Sequence, residues 1–161
     1  MLVATNIEAL KTIYFFRGLN EEELGKISDL CKKNLIIPGE LCQKEGLATS
    51  RINFIVKGKV GVEFHLPSVA FGSKDIILYT LNEGDVFGWS SLINIAPWSS
   101  LRALEPIDVL YIESEDLLNL CENDSHIGYI LMKNLALLIS SRFKRTRMAT
   151  LNTMVAIKGE W

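Results

Sequence analysis

Cysteine is scarce in this chain, and the three present, Cys31, Cys42 and Cys121, are an odd number at wide spacings. That pattern excludes a disulfide framework and the close ligand pairs of a zinc site, so they read as buried thiols in a reducing compartment. Histidine is scarcer still. His65 and His126 stand alone, and no serine sits in a nucleophile-elbow motif, so neither metal-assisted nor nucleophilic catalysis finds its residues assembled. Glu113, Glu115 and Asp116 look like a paired-carboxylate site, but they cluster where a helix starts, and the helix dipole favours negative charge there. The expectation is a protein that is not an enzyme.

Excess charge of one sign is also lacking. A formal net charge of -2 leaves no global positive field to draw the whole chain onto nucleic acid or an anionic membrane. Long hydrophobic runs are missing too. The most apolar stretch, residues 129–139, is interrupted by Lys133 and Asn134 and is too short to cross a bilayer. The opening residues carry no basic flank leading into an apolar run, so no secretory signal is expected and a cytoplasmic location is.

What is present is an ordinary globular balance, 48% hydrophobic and 22% charged, which argues for a folded chain. With 161 residues it has room for one core, and the expectation is a single domain over 1–161. Ile7, Leu10, Ile13 and Tyr14 fall at helical spacing before Arg17-Gly18-Leu19-Asn20 breaks the pattern. Asn20 then caps a second helix, with Glu23 placed for a capping box and Leu24, Ile27, Leu30 and Cys31 facing inward. N-terminal helices thus occupy 1–33.

From 34 to 112 the chain reads as short strands punctuated by Pro38-Gly39, Gly46, Gly58, Gly72 and Gly84. Residues 52–56 and 60–64 flank Lys57-Gly58-Lys59, a spacing that predicts a tight hairpin with Val60, Val62 and Phe64 on one face. Further strands at 76–81 and 109–112 predict closure into a small sandwich or roll. C-terminal helices follow over 113–155, with 156–161 as a tail. Ser114 opens one, and Asp124 or Ser125 caps a longer one. Between Ile127 and Ile139 apolar residues occupy nearly every side of the long helix, and Met148, Leu151 and Val155 resume the stripe at coiled-coil-like spacing. Burial on two sides is implied, and with it a homodimer joined along this helix.

Four segments carry a family resemblance: Pro38-Gly39-Glu40, Lys44-Glu45-Gly46, Phe54-Ile55-Val56-Lys57-Gly58-Lys59-Val60, and Leu81-Asn82-Glu83-Gly84-Asp85-Val86-Phe87-Gly88. In that order and spacing they resemble the cyclic-nucleotide-binding domain of the Crp/Fnr type over about residues 8–150. The resemblance implies an α+β, mainly β fold: a jelly roll, or double-stranded β-helix, with N-terminal helices and a long C-terminal helix. It also implies a phosphate-binding cassette after Phe87-Gly88, in which a short helix at 88–93 offers backbone N–H groups to a cyclic phosphate.

Two family residues are missing from that cassette. Where the family has a glutamate for the ribose hydroxyl, this chain has Trp89, which donates one indole hydrogen bond and accepts none. Where the family has an arginine for the phosphate, alignment lands on Pro97 or Trp98. Arg102 is the nearest cation, yet strand alternation with Leu101 and Ala103 inward turns it away from the pocket. The candidate ligand-binding residues are therefore Gly88, Trp89, Ser90, Ser91, Trp98, Ser99, Ser100 and Arg102. The serines can donate to a ligand or serve as local backbone partners, and Trp89 and Trp98 can stack on a flat ligand or plug an empty pocket.

Three functions fit this reading. One is a regulatory domain sensing a cyclic nucleotide or another small polar ligand, with cyclic AMP and cyclic GMP bound weakly or not at all. Another is a dimerising adaptor whose pocket is vestigial. A relative of Crp/Fnr transcription regulators without the helix-turn-helix is the third. Residues 150–161 hold no such unit, and Arg142, Lys144, Arg145 and Arg147 read as a solvated stretch of helix, so sequence-specific DNA binding is not expected.

Overall fold

The structure, a computed structural model, describes residues 2–66 and 74–158, with side chains described for 6–65 and 75–155. Met1, Gly72 and the last part of the tail, 159–161, lie outside the described residues.

Two helices open the chain, α1 (Leu2–Thr12) and α2 (Glu21–Leu30), joined through a 3₁₀ turn at Tyr14–Phe16. The capping box at α2 is in place. Asn20 accepts from the Glu23 backbone N–H through its side chain, and the Glu23 carboxylate accepts from the Asn20 N–H, so two otherwise unsatisfied donors are paired. Among the described residues eight strands follow: β1 (Lys32–Ile36), β2 (Leu41–Gln43), β3 (Arg51–Lys57), β4 (Val60–Leu66), β5 (Lys74–Leu81), β6 (Val86–Phe87), β7 (Ser100–Ala103) and β8 (Ile107–Glu113). A 3₁₀ turn at Trp89–Ile93 lies between β6 and β7, and α3 (Ser114–Asn123) and α4 (Ser125–Lys158) complete the order. Helix α4 therefore runs through Val155 into the segment expected to be tail.

The strands form two antiparallel four-stranded sheets, ordered β1-β8-β3-β6 and β2-β7-β4-β5, which is the jelly roll expected. One expectation is corrected. β3 and β4 are consecutive but do not pair; they belong to opposite sheets, so Lys57-Gly58-Lys59 turns a corner of the roll and is not a hairpin. Gly58 is required there for two reasons. Its φ is +108°, and a Cβ would stand 2.5 Å from the Pro106 carbonyl oxygen on the strand entry it crosses.

Period-two alternation divides the first sheet between two cores. On β8, Ile107 and Val109 face the roll interior, where they meet Ile55, Val60, Val62 and Leu101. Leu110 and Ile112 face the other way, onto the helices. There Phe54 of β3 meets Phe15 and Phe16 with ring centroids 5.9 and 4.7 Å away, inside aromatic contact range. Helix α4 closes this second core with Ile127, Leu131 and Leu135, and Asn134 donates to the Phe15 and Arg17 carbonyls at 2.9 Å each. No helix among the described residues is long and apolar enough to cross a membrane.

Candidate ligand-binding site

The second sheet and α4 enclose a cavity of about 670 Å³ beside the turn that follows β6. Its floor begins at Gly88, whose φ of +76° and position, with a Cβ 2.3 Å from the Arg51 carbonyl oxygen, leave room for no side chain. This turn directs the chain into the 3₁₀ segment Trp89–Ile93, which Asn94 ends in the left-handed region at φ 52°. The segment's own groups are partly used up. The Ser91 N–H and hydroxyl both donate to the Gly88 carbonyl, and the same hydroxyl meets that of Ser114 at the head of α3.

Five of the expected residues line the cavity: Gly88, Trp89, Ser90, Trp98 and Ser99. Trp98 stands at the mouth, 72% exposed, whereas Trp89 is half-buried against the helical core. Ser91, Ser100 and Arg102 are not in the lining. Ser91 is held as above, and the Ser100 hydroxyl accepts from the Glu45 N–H. Arg102 faces away, as alternation on β7 requires. Its Nε and Nη2 donate to the two carboxylate oxygens of Glu63 at 2.6 and 3.2 Å, and its Nη1 donates to the Gly39 carbonyl. A guanidinium in a two-pronged pair with a buried carboxylate is not free to turn inward.

The remaining wall is mostly apolar, with Val62 and Phe64 from β4, Leu81 from β5, and Ile139 and Phe143 from α4, and Gln43, Tyr79, Ser140 and Thr146 add polar groups. One cation does line it, and it comes from α4. Arg142 was expected in a solvated basic run, but it is only 9% exposed. Its Nη2 donates to Asp85 Oδ1 at 3.1 Å and to the Val86 carbonyl at 3.0 Å. Burial presses its pKa below the usual guanidinium value while the Asp85 carboxylate opposes the shift. Arg145, one turn on, donates to the Thr80 carbonyl and lies over the Tyr79 ring at 4.7 Å. Lys144 and Arg147 are the exposed members of the run. A signal for Arg142 was in the sequence: it continues the spacing of Ile127, Leu131, Leu135 and Leu138, one side of a 3.6-residue period.

The three thiols are free and half-buried. Burial pushes Cys31 up to about 12 and Cys42 up to about 11, and it raises Cys121 as well.

This roll with its cavity and lid helix defines a ligand-binding regulatory class, and the sequence agrees. The profile of the cyclic nucleotide-binding domain matches residues 36–124, so the chain belongs to that family. Among solved structures, a Geobacter metallireducens protein described as cyclic nucleotide-binding shares 27% identity at a TM-score of 0.68, covering 84% of this chain and 96% of its own. A cyclic nucleotide-binding domain from Methylobacillus flagellatus aligns at 20% identity and a TM-score of 0.77, covering 94% and 83%. The regulatory subunit of a cAMP-independent protein kinase A from Trypanosoma brucei aligns at 18% identity and 0.61, covering 78% and 47%. No curated protein matches the sequence significantly.

Proposed function

We propose that residues 1–161 act as one non-enzymatic regulatory unit that senses a small ligand through an atypical cassette, and that this ligand is not cyclic AMP or cyclic GMP. The observation that carries the reading is the cassette's lack of an inward cation. On the family resemblance Pro97 or Trp98 falls at the arginine position and Trp89 at the glutamate position, and Arg102 is paired with Glu63 outside the cavity. A cyclic phosphate placed there would lose its water without gaining a charge partner from the cassette. The cavity itself is not collapsed, and its size lies within the range of small-molecule sites. Calorimetry with both cyclic nucleotides tests this; a dissociation constant in the low-micromolar range, about 8 kcal/mol of binding free energy, would return the site to the family's usual ligand. A thermal-shift screen of a metabolite library then separates sensor from vestigial pocket, because a molecule that binds only the native state raises its stability.

A second reading concerns assembly. Phe143, Met148, Leu151, Met154 and Val155 of α4 are all exposed, and two copies paired about a two-fold axis would cover them on both chains. Sedimentation equilibrium at tens of micromolar tests the homodimer, and a monomer there rejects it. Sequence-specific DNA recognition is not part of the reading, since Arg142 and Arg145 of the basic run are already engaged with Asp85, Val86 and Thr80. The proposed location is cytoplasmic.

A further inference from the structure

We infer that the cavity takes an apolar molecule carrying one acidic group, gripped at that group by Arg142 and Ser90. This deepens the proposal of a sensing pocket and rests on it. Among the described residues, three buried side-chain polar atoms have no hydrogen-bond partner: Asn6 Oδ1, Ser90 Oγ and Arg142 Nη1. Asn6 belongs to α1, away from the cavity, but Ser90 and Arg142 both line it. Ser90 is 3% exposed and Arg142 is nine-tenths buried. Buried donors are nearly always paired in folded proteins, so two orphans on residues that line the same cavity, one from the 3₁₀ segment and one from α4, point to a partner that the chain does not supply.

That partner's chemistry follows from the charges that face it. Arg142 contacts the single carboxylate of Asp85, and Arg145 Nη1 lies 3.7 Å from the same oxygen. Two guanidinium groups on one carboxylate leave the corner net positive, which favours an anion over an alcohol and repels an amine. Asp85 occupies Nη2, so the free Nη1 presents one edge of the fork, and the Ser90 hydroxyl supplies a second donor. The rest of the molecule is expected to be mainly apolar, because Val62, Phe64, Leu81, Trp89, Ile139 and Phe143 make up most of the wall, and a polar ring set against them would lose its water without gaining hydrogen bonds from these side chains.

Calorimetry on the whole chain, with decanoate, decanol and cyclic AMP as probes, tests the inference, together with the variants Arg142→Ala and Ser90→Ala. Decanoate is expected to bind at least tenfold more tightly than decanol and more tightly than cyclic AMP. Arg142→Ala should abolish the preference for the acid. Ser90→Ala should weaken decanoate severalfold with no loss of thermal stability, since its hydroxyl has no partner to lose. Should Arg142→Ala fail to fold, Ser90→Ala decides alone, and unchanged decanoate affinity in it overturns the inference. Equal binding of acid and alcohol, or tighter binding of cyclic AMP, overturns the acid class while leaving a sensing pocket. Failure of all three probes to bind overturns both the acid class and the sensing reading.

Discussion

The two halves of α4 belong to one helix, but their apolar side chains have different fates. In the first, Ile127, Leu131 and Leu135 are buried against the chain's own N-terminal helices and first sheet, with Asn134 tied to the Phe15 and Arg17 carbonyls. In the second, Phe143 is 70% and Val155 71% exposed. Thr146, bonded to Tyr79, is the last α4 residue with a hydrogen bond to the roll among the described residues. From there to Lys158 the helix advances roughly 18 Å at 1.5 Å per residue, beyond what the roll covers. Arg142 sits where the halves meet. In the first half the helix face decides, since Tyr129 and Leu137 are exposed while Leu131 and Leu135 are buried, whereas Met148, Leu151, Met154 and Val155 beyond Thr146 are all exposed.

Substitutions matched across the two halves test that contrast most directly. Leu131→Ala removes a fully buried side chain and should cost about 2–5 kcal/mol in urea unfolding. Leu151→Ala, measured where the chain is monomeric, should stay within about 0.5 kcal/mol of the parent. Equal losses would erase the distinction between the halves.

A polar anchor in the first half should come next in size. Asn134→Ala leaves the buried Phe15 carbonyl and the part-buried Arg17 carbonyl without this donor, so a loss of about 1–3 kcal/mol is expected by thermal or urea unfolding. An unchanged midpoint would mean that α4 is held by its leucines alone.

In the second half the effect should fall on association. Met148→Glu with Val155→Glu should weaken self-association at least tenfold, about 1.4 kcal/mol, in sedimentation equilibrium while the monomer's unfolding is unchanged. Leu135→Glu would not serve this purpose, because Leu135 is 3% exposed inside the chain and its loss would unfold the core. Destabilisation of the monomer by the double variant would place the distal half in the intramolecular core after all.

The smallest effect is a pH dependence at the start of α4. Glu23 accepts from the Asn20 N–H and from His126, and mainly the backbone bond holds its pKa below the ordinary 4.5, against the opposing effect of burial. The folded value lies below the unfolded one, so the contribution is present above the unfolded value and is lost as pH falls through the folded one. Stability measured from pH 6 downward, toward pH 3, should therefore fall less steeply in Glu23→Gln than in the parent. Parallel slopes would discount the link between α2 and α4.

Much of this was legible in local sequence. The Asn20–Glu23 box, the Asp124 cap on the Ile127 N–H, the strand residues of β3, β4, β5 and β8, and the outward turn of Arg102 each follow from contacts or periodicities within a few residues. The site was legible in part. Gly88 and Trp89 to Ser90 could be placed from the motif around Phe87, but nothing local distinguishes the lining hydroxyl of Ser90 from that of Ser91, which is consumed by the Gly88 carbonyl.

What the sequence by itself determined is the helices, the strands β3, β4, β5 and β8 and their inward faces, because these depend on residue type and short-range spacing. The tertiary structure alone decided how those elements meet. A glycine between two strands suits a hairpin and a corner equally, and the long-range pairing of β3 with β6 and β8, and of β4 with β5 and β7, is what puts the two strands in different sheets. An arginine in a basic run looks solvated until Asp85, 57 residues earlier, closes over it. Long-range packing chose between states that local chemistry leaves nearly equal in free energy, and it thereby put a cation on the cavity wall.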